Sequence, residues 1–158
     1  MAVSLPPFQA FLDAHRDDVY GFLVAAAGPD QADDCFQETF VSALRAYPRL
    51  RRGSNLRAWI LTIAHRKALD AHRSRARRPL PVADVPERAA ASNPSPAGDA
   101  ELWEAVRELP PKQRAAVVHR YVNDLPYRQI GEVMGCSDEA ARRSVHEGLK
   151  RLREVWAT

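Results

Sequence analysis

The sequence predicts an all-α protein built from two small helical units joined by a flexible linker. Three observations carry that prediction. Apolar residues recur at helical spacing on both sides of residues 79–98. That stretch itself holds Pro79, Pro81, Pro86, Pro94 and Pro96, with small residues, no aromatic and no periodicity. Only 7 Gly and 8% aromatic residues in 158 disfavour a turn-rich β-sandwich or barrel. The expected divisions are 1–78, 79–98 and 99–158.

The first unit reads as three helices. One covers Phe8–Ala27, with Phe8, Phe11, Leu12, Val19, Phe22 and Leu23 at helical spacing, and Gly28-Pro29 stops it. The next takes Asp30 as N-cap and runs to Tyr47, before Pro48, with Phe36, Phe40, Ala43 and Tyr47 as its core stripe. After a loop at 48–54, the third starts near Asn55 and runs to about Arg77, ahead of Pro79. Leu56, Trp59, Ile60 and Ile63 form its buried stripe.

The second unit reads as four. Residues 99–108 form a short helix that ends at Pro110-Pro111. Lys112–Asn123 carries Ala116, Val117, Val118 and Tyr121. Pro126 opens Tyr127–Met134. Gly135-Cys136-Ser137 makes a tight turn with Ser137 as N-cap. The last helix runs from Asp138 to about Trp156, with Ala141, Val145, Gly148, Leu152, Val155 and Trp156 on one stripe.

Charge narrows the function. The net +3 hides an asymmetry: residues 1–44 carry seven acids against Arg16, whereas residues 45–78 carry eleven cations against Asp70 alone. A block of +10 over so short a stretch is a candidate polyanion site. Of the 23 cations 20 are Arg, which suits planar recognition of phosphate or guanine. No apolar run approaches the ~20 residues of a membrane span. The start, MAVSLPPFQAF, lacks the regions of a secretory signal. Cys35 and Cys136 fit neither a disulfide framework nor a four-ligand zinc site. A soluble cytoplasmic protein is expected.

Three constellations carry chemistry. An eight-residue helix, a Gly turn and a longer helix have helix-turn-helix spacing. On that last helix Glu139, Arg142, Arg143, His146 and Lys150 lie opposite the apolar stripe. Arg reads guanine through two hydrogen bonds, and Glu accepts from cytosine. A solvated helical hairpin is the plainer alternative. The basic loop and helix from Arg49 to Arg78 turn Thr62, His65, Arg66, Leu69, His72 and Arg73 to one side, which suits a phosphate backbone and unstacked bases. His65 and His72 stand two turns apart, about 10 Å along the axis, too far to share a metal. The acidic second helix sets Asp34, Gln37, Glu38 and Val41 opposite its core stripe, a face suited to a protein partner that offers Arg.

Taken together these segments resemble the extracytoplasmic-function (group IV) sigma factors of bacterial RNA polymerase. DDCFQETFVSAL is similar to the family's polymerase-binding signature. LRAWILTIAHRKALDAHRSR is similar to its helix for melting and reading the promoter −10 element. LPPKQRAAVVHRYVNDLPYRQIGEVMGCSDEAARRSVHEGLKRLRE is similar to its −35-reading domain. The likeness covers about residues 8–78 and 100–156.

The resemblance implies two partners, core RNA polymerase and promoter DNA. It places Asp34, Gln37, Glu38 and Val41 at the polymerase clamp helices. It places Arg51, Arg52, Ser54, Asn55, His65, Arg66 and Arg73 at the non-template strand of the −10 element. It places Glu139, Arg142, Arg143 and His146 in the −35 major groove, with Arg120, Arg128 and Lys150 at phosphates. The family usually has Asn where Arg66 stands, and a less acidic recognition helix than one with Asp138, Glu139 and Glu147. No cofactor, metal or catalytic group is implied, and an anti-sigma protein is left open as a partner. Two alternatives are a stand-alone helix-turn-helix regulator and a small nuclease using His65, Asp70 and His72. The nuclease lacks a carboxylate cluster for a metal.

Overall fold

Gly28 alone joins the first two helices. It sits at φ +90°, where an L side chain is strained, and so turns α1 (Phe8–Ala27) sharply into α2 (Pro29–Ala46). Pro29 occupies the first helical position, where its missing N–H costs nothing. Asp30 is therefore inside the first turn of α2 and not its N-cap, a correction to the sequence reading. A single 3₁₀ turn, Tyr47–Arg49, follows. Then α3 (Leu56–Arg77) begins, capped by Asn55, whose Oδ1 accepts from the Ala58 N–H at 3.1 Å.

The computed structural model describes residues 5–77 and 97–156. Apart from Ala97 and Gly98, which open α4, the predicted linker lies outside them. The C-terminal unit comprises α4 (Ala97–Glu108), α5 (Pro111–Tyr121), α6 (Tyr127–Met134) and α7 (Asp138–Trp156). The described residues hold helices and no strand, as the sequence predicts. The second helix of this unit ends at Tyr121 and not Asn123, because Asp124 adopts a left-handed φ of 53° and turns the chain into α6.

The N-terminal core forms where α1, α2 and α3 pack on one another. Phe11 is its hub. Its ring centroid lies 5.6 Å from Phe8, 5.2 Å from Tyr47, 5.7 Å from Trp59 and 6.4 Å from Phe40. Tyr47 is anchored by its hydroxyl, which donates to the Pro6 carbonyl. On α3 the sequence stripe is rotated: Ile60, Leu61 and Ala64 are fully buried, while Leu56, Trp59 and Ile63 are half-buried against that core. The rotation follows from what covers α3. It packs on α1 and α2 on one side and on α5 and α6 on another.

In the C-terminal unit α7 packs across α5 and α6. Ala141 and Val145 are fully buried and Leu152 nearly so, whereas Val155, expected on the same stripe, is 56% exposed. The α6–α7 turn is set by two glycines. Gly135 takes the left-handed conformation at φ 72°. Gly131 accepts the Cys136 N–H at 2.9 Å, and a Cβ on it would stand 2.6 Å from the Cys136 carbonyl oxygen. That neighbour is backbone and cannot swing aside. Gly131→Ala should therefore spread α6 from α7 and destabilise the chain by ~1–3 kcal/mol. Thermal melting of the variant checks it, and an unchanged midpoint would refute the close approach.

Candidate nucleic-acid and protein interfaces

Three surfaces correspond to the three constellations. On α2, Asp34, Gln37, Glu38 and Val41 are all exposed and share one face, as the spacing requires. Ala32, Cys35, Thr39 and Ala43 point the other way into the core. Burial and the neighbouring carboxylates of Glu38 and Asp34 push the Cys35 thiol up, so it is an inert core residue. The sequence reading missed Leu44. It is 54% exposed, one turn on from Val41, and extends the acidic face with an apolar end. The signal was available in its i+3 spacing from Val41.

The second surface is the loop before α3 and the helix itself. Arg51 and Arg52 are exposed at the loop tip, beside Gly53 at φ 82°. Ser54 folds back, its hydroxyl donating to the Arg51 carbonyl at 2.6 Å. Asn55 is exposed and engaged in capping α3, so its carbonyl oxygen already has a backbone partner. On α3 the structure exposes Arg66, His72 and Arg73. His65 departs from the expected outward face: it is only 6% exposed. Its ring lies 6.3 Å from Phe22 of α1 and 5.5 Å from His119 of α5. The C-terminal unit covers it, which no local pattern reveals.

The third surface is α7. Ser137 caps it, its Oγ accepting from the Ala140 N–H at 3.1 Å. Glu139, Arg142, Arg143, His146 and Lys150 are all exposed, opposite buried Ala141 and Val145. Tyr127, at the start of α6, was not singled out in the sequence. Its ring lies between two guanidinium groups, Arg120 at 4.8 Å and Arg142 at 4.9 Å from the centroid. Arg120 also donates to the Leu125 carbonyl at 3.1 Å, which holds it close to the protein. Arg128 is exposed on α6 and pairs with Glu132 at 3.7 Å. The stack holds the Arg142 guanidinium against Tyr127 at the start of α6, while Arg143 is exposed on the same helix as Arg142.

Among the described residues, no group of three or more His, Cys, Asp or Glu side chains could hold a metal ion. None of the described helices is long and apolar enough to cross a membrane.

Residues 11–78 match the family described as Sigma-70 region 2, and residues 99–152 match Sigma-70, region 4. The RNA polymerase sigma factor CarQ of Myxococcus xanthus is 30% identical over 158 residues, spanning 94% of this chain and 88% of that one. The ECF RNA polymerase sigma factor SigE of Mycolicibacterium smegmatis is 30% identical over 165 residues, spanning 98% of this chain and 63% of that one. Among solved structures, the sigma factor RpoE of Bartonella quintana, in complex with the anti-sigma factor NepR, is similar with a TM-score of 0.75 at 22% identity. That likeness covers 96% of this chain and 97% of that one, and it is a likeness of fold.

Proposed function

The chain belongs to the sigma-70 family of bacterial RNA polymerase, in its extracytoplasmic-function group, and on that premise we propose how its surfaces divide the work of promoter recognition. The face of Asp34, Gln37, Glu38 and Val41 docks on core polymerase. The loop of Arg51, Arg52, Ser54 and Asn55, with His65, Arg66 and Arg73 of α3, takes the displaced −10 strand. The α7 face of Glu139, Arg142, Arg143 and His146 enters the −35 major groove, while Arg120, Arg128 and Lys150 stand at phosphates. The units 1–78 and 99–158 act as two modules on either side of the linker 79–98.

One observation carries this reading most directly. The α6–turn–α7 hairpin presents Arg142, Arg143 and Lys150, together with Glu139 and His146, on the side away from its buried stripe. That is the disposition a recognition helix needs to reach base edges. The mechanism is bivalent: two weak DNA-reading modules gain effective concentration because both are held on one enzyme. Melting follows the logic of base extrusion, in which the cost of unstacking is recovered in a protein pocket. The chain supplies no catalytic group and takes no cofactor, since the polymerase performs the chemistry. It works where the polymerase works, in the cytoplasm. An anti-sigma protein is the natural restraining partner, as RpoE is found with NepR.

The test is transcription in vitro with core polymerase on fragmented genomic DNA, with start sites sequenced. Start sites sharing −10 and −35 motifs are expected. No initiation above core alone, together with a tight footprint in the absence of polymerase, would replace this reading with that of a stand-alone regulator.

Specificity at −35 tests the third surface. A guanine read by two arginine hydrogen bonds discriminates by ~1–3 kcal/mol. Arg142→Ala and Arg143→Ala should each relax preference at one or two −35 base pairs and lower transcription roughly ten- to hundredfold. Lys150→Ala should instead weaken binding to all sequences alike and flatten its salt dependence. A randomised −35 library transcribed with each variant decides it. An unchanged preferred sequence with both arginine variants would make this face an ordinary solvated surface.

A further inference from the structure

Side chains from three helices meet at one ring. Tyr127 opens α6, half-buried, and packs against the hydrophobic core. Arg120, near the end of α5, brings its guanidinium to 4.8 Å from the ring centroid, and Arg142 of α7 brings its own to 4.9 Å. Ile130, Gly131 and Val133 are all buried and hold α6 down, so the ring stands on a fixed base.

The two arginines differ in what else holds them. Arg120 donates from Nη1 to the carbonyl of fully buried Leu125, a bond it would keep if the ring were lost. Arg142 has no such second tie. Among the described residues no carboxylate lies within pairing distance of it, Glu139 three residues earlier included. Arg143, next in sequence and also exposed, has neither a ring nor a carboxylate partner among them.

That difference bears on base reading. An unrestrained arginine samples many rotamers and loses that freedom when it docks. Reading guanine through two hydrogen bonds requires the guanidinium plane to line up with the base edge. A guanidinium laid on a ring keeps its N–H donors in its own plane, free to reach such an edge. Holding it there beforehand removes part of the ordering cost. A cation–π contact at an exposed site is worth roughly two- to fivefold in population. The effect is small against total affinity, but it falls on one arginine and hence on the base pair which that arginine reads.

We propose that Tyr127 is a positioning residue for −35 recognition: it orders the Arg142 guanidinium on its ring before DNA arrives and so sets how strongly that arginine discriminates. Tyr127 acts through Arg142 and need not touch a base itself. Arg142 and Arg143, though adjacent and both exposed, are therefore unequal readers, one ordered in advance and the other not. The proposal rests on the assignment of α7 to the −35 major groove.

Transcription of the randomised −35 library by holoenzyme reads each position separately and so tests it. The full-length chains compared are the parent, Tyr127→Leu, Tyr127→Phe, Arg142→Ala, and Tyr127→Leu combined with Arg142→Ala. Tyr127→Leu should lower preference roughly two- to fivefold at the base pair that Arg142→Ala relaxes, and leave the other positions unchanged. Tyr127→Phe keeps the ring and should keep the preference. The double variant should match Arg142→Ala alone, because the ring then has nothing to position. Positional preference is a ratio within the folded population, so lowered stability does not imitate this result. Tyr127→Met carries the same test should Tyr127→Leu fail to fold. Uniform weakening across all −35 sequences by Tyr127→Leu would make Tyr127 a purely structural residue and overturn the proposal. So would additive losses in the double variant. A Tyr127→Phe profile equal to that of Tyr127→Leu would overturn it too, by making the hydroxyl the group that matters. All three outcomes leave α7 in the −35 groove. If Arg142→Ala itself leaves the preference unchanged, the role of this α7 face falls, and the proposal falls with it.

Discussion

A chain carrying Asp34→Arg with Glu38→Arg is expected to lose core RNA polymerase and keep its fold. Both carboxylates stand exposed on one face of α2, four residues apart, with Gln37 and Val41 between and beside them. Exposed Leu44 continues that face by one turn. An acidic face with apolar residues at one end suits a partner that offers arginines around an apolar patch. Removing one member of a desolvated interfacial charge pair costs ~2–5 kcal/mol, and reversing two turns attraction into repulsion. The fold should be spared, because the core stripe of α2 lies on its other side and solvent-facing substitutions shift stability by only ~0.5 kcal/mol. Co-purification with tagged core enzyme and thermal melting give the two readouts. Normal holoenzyme formation by the double variant would remove α2 as the docking element. A collapsed melting temperature would mean that the carboxylates hold the fold together. Val41→Ala with Leu44→Ala, charge-neutral, should weaken the same complex and so separates docking from charge balance.

Much of this architecture is legible in the residues themselves, because its signals are local. Phe8–Ala27 and Tyr127–Met134 were bounded correctly by proline and glycine, which act within one or two residues of themselves. Ser137 was found as a cap for the same reason. The stripe Ala141, Val145 and Leu152 follows from the 3.6-residue period. Asp30 is a good cap by type, yet Pro29 fits the first helical position and Gly28 the left-handed corner before it, so α2 begins earlier. His65 shares a helical face with Arg66 and Arg73 on the wheel, but α5 of the other unit lies over it. Periodicity assigns a face; it does not say what covers that face from 54 residues away. Arg57, Asn123 and Tyr127 escaped notice on the same ground. Their partners, Asp18 and Arg142, are remote in sequence, and the register of such pairs exists only once the helices have packed.

Acid should loosen this protein through the histidines buried at the junction. Burial pushes the His65 imidazole down to about 4, with the charge of Arg66 acting in the same direction. Burial also pushes His119 well below the ordinary value of 6.5, and His65 beside it adds to that. Neither ring nitrogen of His119 has a hydrogen-bond partner among the described protein atoms, and Nδ1 of His65 also lacks one. The other elements facing them give no relief. Phe22 and Ala26 of α1 are apolar, and Arg114 and His72 share the small hollow beside His65. Arg73, Lys112 and Arg143 line the adjoining cleft, and among the described residues no carboxylate lines either space. A proton on His65 would therefore enter a site that is both dry and positive. The folded form holds these groups neutral, and the unfolded chain protonates them near pH 6.5. The stability they contribute is thus complete above that value and is lost as pH falls from about 6.5 toward 4. At pH 5, His65 alone removes about 2 kcal/mol, and the loss grows as His119 follows. On a chain of this size that lowers the melting midpoint by roughly 4–8 °C relative to pH 7.5. Replacing His65 by Leu and His119 by Phe keeps the junction apolar, preserves the ring on Phe22, and removes the unpartnered nitrogens. The double variant should melt at or above the parent at pH 7.5 and show a shallower fall on acidification. Parallel pH profiles for parent and variant would mean that the two imidazoles titrate as if in water, and that the junction does not exclude it.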